Sequence, residues 1–531
     1  MGEPSILART ARGAGWVIAW RIATRLLGLF SMLVLARLLV PEDFGLVALA
    51  TSLAFAIDSC LLIGVEDQII RAQTPSRELY DTAFTMTVIR GVFVGVVVAL
   101  AAPWTASFFG DDRLETILYA LGATFAASGF ANIGAVDFRR NLEFHLEFRL
   151  MTLPRIVSVV VTVGAAFFIQ SHWALIAGFI VYRAGVLAMS YAMHPHRPRF
   201  SLTAWRDLIG VSIWTWGIGV AIVLRDRSDA VLIGRLQGPT GVGIFTAGSE
   251  LATIPTAEVA IAASRAVMPG LADLRRSSGQ QQEREAVLRI LGLMLLLSLP
   301  AGFGISLLAG PTVVASLGPR WIEAVPVVVI IGLAGAFAPF DTVGSGWLRA
   351  RAELRALLAI ILISVFLRVG LLFVLTIWMG LPGAAAAVAL SMLIEPALTF
   401  TMSAHRLGIG GREVWEAIQR PLAAVAVMAT ILVLSGIGWT APPPDGWTAL
   451  RILATAIPIG ALVYGATVIV LWRATGKREG AEADAWSVLR RVARTILRSR
   501  AAPWQPAGQN QDANALVRNE GSMNADRWRR P

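Results

Sequence analysis

The stretch Arg37-Leu38-Leu39-Val40-Pro41-Glu42-Asp43-Phe44-Gly45 has a second copy at Arg235-Leu236-Gln237-Gly238-Pro239-Thr240-Gly241-Val242-Gly243. Both copies keep Arg-Leu-x-x-Pro and the glycine that follows the proline, and the similarity continues to Leu53 and Leu251. Each copy joins two apolar segments, as expected for two transmembrane helices connected by a short turn. One membrane hairpin is therefore present twice, and duplicated bundles are typical of secondary transporters, which hold their substrate between the repeats.

The composition also predicts a membrane protein. Hydrophobic residues make up 56% of the chain and charged residues only 15%, and the mean hydropathy is +0.66. These values exclude an ordinary soluble domain. The single cysteine, Cys60, excludes a disulfide framework within the chain. His194 and His196 flank a proline beside several arginines, where a solvated loop is favoured over a metal site, so we expect neither a metal nor a cofactor.

Apolar runs of about 20 residues divide the chain into transmembrane spans. The predicted spans are residues 14–40, 44–65, 83–106, 115–136, 150–170, 173–193, 208–234, 241–268, 286–317, 321–346, 355–378, 381–402, 420–439 and 447–472. The predicted fold class is all-α: a polytopic membrane protein with about 14 transmembrane helices, arranged as two parallel six-helix repeats plus two C-terminal helices. The predicted units are residues 1–206, 207–405, 406–473 and 474–531, the last being a cytoplasmic basic tail that is partly disordered.

Arginine is distributed unevenly between the loops of this chain, whose net charge is +11. Alternate loops are rich in arginine, whereas the intervening loops hold little beyond Arg113 and Arg320. Short loops rich in Lys and Arg face the cytoplasm. We therefore expect a multi-pass protein of the bacterial cytoplasmic (inner) membrane with both termini in the cytoplasm. The basic residues lie between apolar runs, so nucleic acid is not an expected partner.

Charged residues inside the spans mark a transport pathway or a paired structural site, because charge at membrane depth is costly. In the first hairpin, Arg21 and Arg25 are one helical turn apart and share a face, and Asp58 lies at a similar depth on the returning helix. The second hairpin carries a larger set, which comprises Arg225, Arg227 and Asp229 on one helix and Glu250 and Glu258 on its partner.

Two interpretations of these charges remain open. In the structural one, Arg25 neutralises Asp58 and Arg225 neutralises Glu258, which holds each hairpin together. In the functional one, four arginines line a cavity and bind an anionic substrate, because the guanidinium fork binds phosphate oxygens bidentately; these are Arg21, Arg25, Arg225 and Arg227. Four acids would then couple or gate transport by releasing the arginines when substrate arrives; these are Asp58, Asp229, Glu250 and Glu258.

Other polar or helix-breaking residues inside the spans carry less information. Five charged residues stand alone on their helices, and a packing role or an interhelical partner is favoured for each: Arg90, Arg183, Asp341, Arg368 and Glu395. Pro255 and Pro339 interrupt long apolar helices and are candidate hinges, although most helix prolines only produce a kink.

The segment from Arg21 to Leu53 resembles the bacterial polysaccharide transporter family, which contains the O-antigen and exopolysaccharide flippases. Further similarity lies in residues 229–251, in the Pro255 and Met268-Pro269 region, in residues 321–346 and in Gly380-Leu381-Pro382-Gly383-Ala384. The resemblance covers nearly the whole chain apart from the tail. Phe245 departs from the family pattern, since relatives usually carry tyrosine there.

The resemblance implies a flippase of the multidrug/oligosaccharidyl-lipid/polysaccharide exporter superfamily, not an enzyme. Such a protein moves a polyprenyl-diphosphate-linked oligosaccharide repeat unit from the cytoplasmic to the outer leaflet by alternating access. In relatives, the first two helices of each repeat line the central cavity, and the last two helices can form a groove for the lipid tail. The implied partners are the lipid-linked oligosaccharide, membrane lipids, and the polysaccharide polymerase and chain-length machinery.

Three alternatives remain at this point. A lipid II flippase would handle the same diphosphate chemistry. A multidrug or cation exporter of the same superfamily would present an acidic or aromatic cavity, so the arginines argue against it. A membrane polysaccharide polymerase would need a sizeable extramembrane region, whereas the predicted outer loops are short. No Gly-x-x-x-x-Gly-Lys phosphate loop is present, which disfavours an ATP-driven pump.

Overall fold

A computed structural model of the chain describes residues 6–61, 64–208, 213–277, 280–476 and 482–483. Within these ranges, the side chains of residues 6–19, 21–22 and 257–277 are not described. The chain divides into two compact units, Met1–Lys477 and Arg478–Pro531. Nearly all of the predicted basic tail lies outside the described residues.

The described residues form helices and loops without strands, which confirms the all-α prediction. In residues 1–206, the predicted first repeat, the helices are α1 (Ile6–Leu38), α2 (Pro41–Cys60), α3 (Val65–Arg71), α4 (Arg77–Phe109), α5 (Arg113–Ser128), α6 (Asp137–Arg140), α7 (Phe144–Ile169) and α8 (Trp173–Met193). They are followed by α9 (Trp205–Leu208), α10 (Ile213–Ser277), α11 (Gln280–Leu307), α12 (Ala309–Ser316), α13 (Val325–Gly335), α14 (Ala338–Ala350), α15 (Leu354–Met379), α16 (Leu381–Leu407), α17 (Gly411–Leu434) and α18 (Gly446–Ala474). Short 3₁₀ helices cover Ile133–Val136 and Pro319–Ala324.

The described helices confirm a multi-pass membrane protein. Nine of them are long and apolar enough to cross a membrane, and the number rises to 11 if two bent pairs each count as one span. Helix α1 and the two halves of α10 coincide with three further predicted spans. The predicted span 286–317 is divided into α11 and the short α12, whose first turn contains Pro311, a residue that cannot donate a backbone hydrogen bond.

Gly238 breaks α10 at the second copy of the repeated turn. Its φ of 72° and ψ of 179° are the only non-helical angles in this helix, and a positive φ of this kind is readily adopted only by glycine. Helix α2 begins at Pro41 after the first copy. The two copies therefore each end one helix and start the next with proline, which lacks the N–H that a first helical turn leaves unpaired.

Gly45 and Gly243 bring the two repeats together at the end of the bundle that carries Pro41 and Pro239, which we term the proline end. A Cβ atom added to Gly45 would overlap the carbonyl oxygen of Pro239, and one added to Gly243 would overlap that of Pro41. The contact is reciprocal, as in an interface with two-fold symmetry. Glycine at both positions allows this close approach of the backbones of α2 and α10.

Trp321 adds a second contact between the repeats at the proline end. Its fully buried indole donates a hydrogen bond from Nε1 to the carbonyl oxygen of Ala36 at 2.9 Å. The ring meets Phe44 edge-on, with 5.2 Å between the ring centroids. Arg37 donates to the carbonyl oxygen of Ala315 at 3.0 Å. The proline end is therefore closed by backbone contact, aromatic packing and polar bonds.

A second repeated turn precedes α7 and α15. Leu142 and Ala352 both adopt a positive φ, of 60° and 58°. In the first copy the backbone N–H of Glu143 donates to the carbonyl of Phe138 at 2.7 Å, and in the second that of Glu353 donates to Leu348 at 2.9 Å. This turn was not predicted from the sequence, although both copies have an arginine four residues before the glutamate.

The two candidate hinge prolines differ in their surroundings. Pro339 lies in the first turn of α14, directly after a bend of 47° between residues 319–335 and 338–350. The backbone of α10 is helical at Pro255, and a hinge role for either proline stays a prediction. A backbone carbonyl left without its helical donor does not by itself break a packed helix.

The segment after α8 is docked on the first repeat, so the expectation of a solvated loop around His194 and His196 is wrong. The Asn132 side chain donates to the carbonyl oxygen of His196 at 2.8 Å, and the backbone N–H of Arg199 donates to Asp81 at 2.9 Å. The imidazole of His196 lies 3.6 Å from the Asp81 carboxylate. No group of three or more potential metal ligands was found among the described residues.

Acidification is expected to loosen this docked segment. Burial lowers the pKa of His196 from its ordinary value near 6.5, with Asp81 opposing the shift and His194 and Arg77 adding to it. The unfolded imidazole takes up its proton near pH 6.5 and the docked one only at lower pH, so docking loses stability as the pH falls below about 6.5. Hydrogen exchange of residues 194–204 should accelerate there, beyond the intrinsic pH effect, and His196→Gln should remove this acceleration. An unchanged acceleration in the variant would assign it to another group.

Candidate substrate site

Asp58, near the end of α2, pairs with Arg90 on α4. The Arg90 guanidinium on α4 donates from Nη2 to Asp58 on α2 at 2.6 Å and from Nε to the same oxygen at 3.2 Å. The structural interpretation of the sequence paired Asp58 with Arg25, whereas the structure pairs it with Arg90. Arg90, which stood alone in the sequence, supplies the partner from a helix outside the hairpin.

Arg183 on α8 is surrounded by aromatic rings. Its guanidinium carbon lies 5.8, 5.1 and 5.4 Å from the ring centroids of Phe55, Phe125 and Phe179. These rings come from three helices and contact one another with centroid distances of 5.5 to 6.1 Å. Phe55 lies one helical turn before Asp58 on α2, so Arg183 and Arg90 approach the same face of that helix.

Arg155 on α7 extends the cationic region toward α1. Its guanidinium lies 5.8 Å from the ring centroid of Tyr182. One of its terminal nitrogens would be 3.9 Å from a Cβ atom placed on Gly28, which follows Arg25 by about one turn. Arg25 is exposed, and the side chain of Arg21 is not among those described.

Arg227 reaches the first repeat from α10. Its guanidinium carbon lies 5.4 Å from the centroid of the Phe55 ring. No carboxylate forms an ion pair with Arg155, Arg183 or Arg227 among the described residues. One phenyl ring thus contacts a cation from each repeat.

The opposite face of α10 carries charges that are paired within the second repeat. Asp229 accepts from Arg368 on α15 through both carboxylate oxygens, one of them at 2.8 Å from Nε. Arg225 forms ion pairs with Glu395 on α16 and, at 2.9 Å, with Asp226. Arg225 and Asp229 are four residues apart and share one face of the helix, whereas Arg227 points away from it.

The expected pairing of Arg225 with Glu258 is replaced by its pairing with Glu395. The side chain of Glu258 lies outside the described ones, and Glu250 is exposed on the second half of α10. Roles for these two acids in coupling, and for Arg225 in substrate binding, stay predictions. Arg368 as the partner of Asp229, and Glu395 as the partner of Arg225, could not be assigned from the sequence, because each belongs to a helix far away in the chain.

A polar cavity of about 320 Å³ lies against the ion pairs of the second repeat. Its walls include Arg225, Asp226, Asp341, Arg368 and Glu395. Asp341 accepts a hydrogen bond from the Thr399 hydroxyl at 3.2 Å. Acids outnumber arginines in these walls, so the cavity is not a cationic site.

An apolar cavity of about 600 Å³ lies beside the polar one and shares Pro396 with it. Helix α16 contributes Leu393 and Phe400, and α17 contributes Val414, Trp415 and Ile418. Side chains of this kind suit a hydrocarbon chain. The resemblance implied a lipid-tail groove at the last two helices, and α17 is the one of these two that lines this cavity.

Comparisons with known proteins agree with this architecture. A family model described as polysaccharide biosynthesis protein matches residues 34–326. The succinoglycan biosynthesis transport protein ExoT of Rhizobium meliloti is 22% identical over 64% of this chain and 69% of its own length. The lipopolysaccharide biosynthesis protein WzxC of Escherichia coli is 21% identical over 62% of this chain and 68% of its own length.

Among solved structures, the lipid II flippase MurJ in an inward closed conformation has the same fold. It superposes with a TM-score of 0.65 at 14% identity, over 86% of this chain and 99% of its own chain. The family model covers more than half of the chain. The chain therefore belongs to the polysaccharide biosynthesis protein family, the polysaccharide transporter family that its sequence resembles, whose members are transporters and flippases rather than enzymes.

Proposed function

We propose that this protein flips polyprenyl-diphosphate-linked oligosaccharide repeat units from the cytoplasmic to the outer leaflet of the bacterial inner membrane, with both of its termini in the cytoplasm. The observation that carries the proposal is the excess of cations inside the first repeat. Arg90, Arg155 and Arg183 lie in the middle of their helices, and among them only Arg90 forms an ion pair with a described acid, Asp58. Charge at this depth is costly and marks a pathway for charged substrate.

The chemistry of the cargo fits this arrangement. Prenyl carbons stay in the bilayer, so the barrier to transfer comes from the sugar and the diphosphate, which cannot enter hydrocarbon without compensation. Guanidinium groups supply that compensation for the diphosphate. Outward movement of negative charge across an inside-negative membrane is favourable by about 2.3 kcal/mol per charge per 100 mV. The membrane potential can therefore assist transport, and the apolar cavity at α16 and α17 offers a place for the tail.

Lipid II is the second candidate cargo. It presents the same diphosphate and prenyl chemistry, and MurJ, a lipid II flippase, shares the fold. The relatives named for succinoglycan and lipopolysaccharide biosynthesis favour the oligosaccharide repeat unit. If that cargo is correct, a polysaccharide polymerase and chain-length machinery act on the product.

A reconstituted assay tests the function. Vesicles containing the protein and a fluorescent prenyl-diphosphate oligosaccharide are treated with a quencher that cannot cross the membrane. We expect translocation at least about tenfold faster than in protein-free vesicles, and Arg25→Ala should slow it because a cation on α1 is lost. Arg451→Ala, on α18, is the matched control. Translocation no faster than in protein-free vesicles contradicts the proposal. Faster movement of lipid II than of the oligosaccharide would make lipid II the favoured cargo.

A further inference from the structure

We propose that Arg183 receives the diphosphate of the lipid-linked substrate and that Arg227 binds the same diphosphate from the opposite repeat. The juxtaposition that carries this inference is the Phe55 ring, which contacts both guanidinium groups. The inference rests on the proposed function, and it names the residues that hold the headgroup. Neither Arg183 nor the Phe55 contact was part of the site expected from the sequence.

Arg183 occupies the costliest position that α8 offers. The helix spans Trp173–Met193 and Arg183 is its central residue. A cation at the centre of a transmembrane helix is normally paired with an acid or faces a polar cavity. Asp58 is the nearby acid, and its carboxylate already accepts two bonds from Arg90. No carboxylate forms an ion pair with Arg183 among the described residues, so its charge is available to a ligand.

The three phenyl rings around Arg183 hold the cation without neutralising it. An aromatic ring attracts a guanidinium group through its π face, but it offers no oxygen to the five N–H donors of that group. Arg183 forms no ion pair and no hydrogen bond among the described residues. Phosphate oxygens in the guanidinium plane would satisfy these donors bidentately. The three rings thus orient the guanidinium group and, within the described part of the chain, leave its N–H donors unpaired.

Arg227 completes the site from the second repeat. It is the one arginine of the charged segment on α10 that faces Phe55, since Arg225 is engaged with Glu395 and Asp226. A diphosphate has two phosphate groups, so it can accept hydrogen bonds from both arginines together. Its binding would link the repeats at the level of Phe55, below the closed proline end. Arg155, next to Tyr182, continues the cationic surface toward α1.

Binding of prenyl lipids to the full-length protein in detergent tests the inference. The probes are fluorescent undecaprenyl diphosphate and undecaprenol, which differ in the headgroup. We expect Arg183→Gln to weaken diphosphate binding by about tenfold or more and to leave undecaprenol binding unchanged. Arg183→Lys should recover only part of the affinity, because an ammonium group lacks the planar fork. Arg451→Gln is the matched control, since Arg451 also stacks on an aromatic ring, that of Trp447 at 5.8 Å.

The outcomes separate the inference from the function on which it rests. Wild-type protein that binds no undecaprenyl diphosphate contradicts the proposed function. Wild-type binding that Arg183→Gln does not weaken contradicts the Arg183 site alone. If Arg183→Gln does not fold, Leu187→Cys in a Cys60→Ser background is used instead, because it places a thiol one helical turn after Arg183 and keeps the three rings. Undecaprenyl diphosphate, but not undecaprenol, should slow its reaction with a maleimide, and equal rates would overturn the inference.

Discussion

Gly45→Ala is expected to destabilise the protein by about 1–3 kcal/mol, although alanine favours a helix over glycine by about 1 kcal/mol. The added methyl group would overlap the backbone carbonyl of Pro239, which cannot move away as a flexible side chain can. Helices α2 and α10 must then separate at the proline end. Thermal unfolding of the purified protein in detergent measures the effect.

A matched glycine elsewhere isolates the cause of this destabilisation. Gly164 lies inside α7, and no heavy atom lies within 4 Å of a Cβ added there. Gly164→Ala should therefore stabilise the protein, as helix propensity predicts. Gly243→Ala should resemble Gly45→Ala, because the contact between the repeats is reciprocal. Stabilisation by all three substitutions would show that the two backbones are not in contact.

Arg368→Gln is expected to cost about 3–5 kcal/mol, the range for removing one partner of a buried ion pair. The Arg368 and Asp229 side chains are only 9% and 14% exposed. Glutamine leaves the Asp229 carboxylate without its two charge-assisted bonds, so the loss comes mainly from an uncompensated charge. Unfolding in detergent again provides the measurement.

The double variant Arg368→Gln with Asp229→Asn distinguishes a lost charge partner from lost packing. Asparagine removes the charge and keeps the shape of the side chain, so most of the stability lost in Arg368→Gln should return. The coupling between the two substitutions then reports the pair itself. Additive losses in the double variant would mean that Arg368 acts through packing and not through Asp229.

The hairpins could be predicted from the sequence because their signals are local. A proline, a glycine and the adjacent apolar runs define each turn within a few residues, and the helices begin at Pro41 and after Gly238 as that pattern indicates. The turn shared by residues 139–143 and 349–353 was missed. Its glutamates and arginines are common residues, so the pattern has little weight without the backbone angles.

The charged residues could be found from the sequence, but their partners could not. Asp58, Arg225 and Asp229 each pair with a residue on another helix, and helix spacing constrains only residues on the same helix. Similar depth in the membrane suggested Arg25 as the partner of Asp58 and Glu258 as the partner of Arg225. Depth gives only the position along the membrane normal, and it does not say which helices are neighbours. The aromatic surroundings of Arg183 could not be predicted for the same reason, since three helices contribute the rings.

One signal about the faces of α10 was present in the sequence. Arg225, Arg227 and Asp229 follow one another at intervals of two residues, which turns successive side chains to nearly opposite sides of a helix. The outer two therefore belong together and Arg227 belongs elsewhere. Applied to the sequence, this rule would have separated the paired face from the face toward Phe55.

Beyond the break at Gly238, the second half of α10 is one long helix that packs on α13 near Gly248 and Thr256. Residues 239–277 extend about 58 Å at 1.5 Å per residue, nearly twice the thickness of a bilayer's hydrocarbon core. Rotation of this helix together with α13 by about 10° around the proline end would move its far tip through about 10 Å. A small adjustment between two glycines is thereby amplified into a displacement large enough for distance measurements with probes attached to the tip.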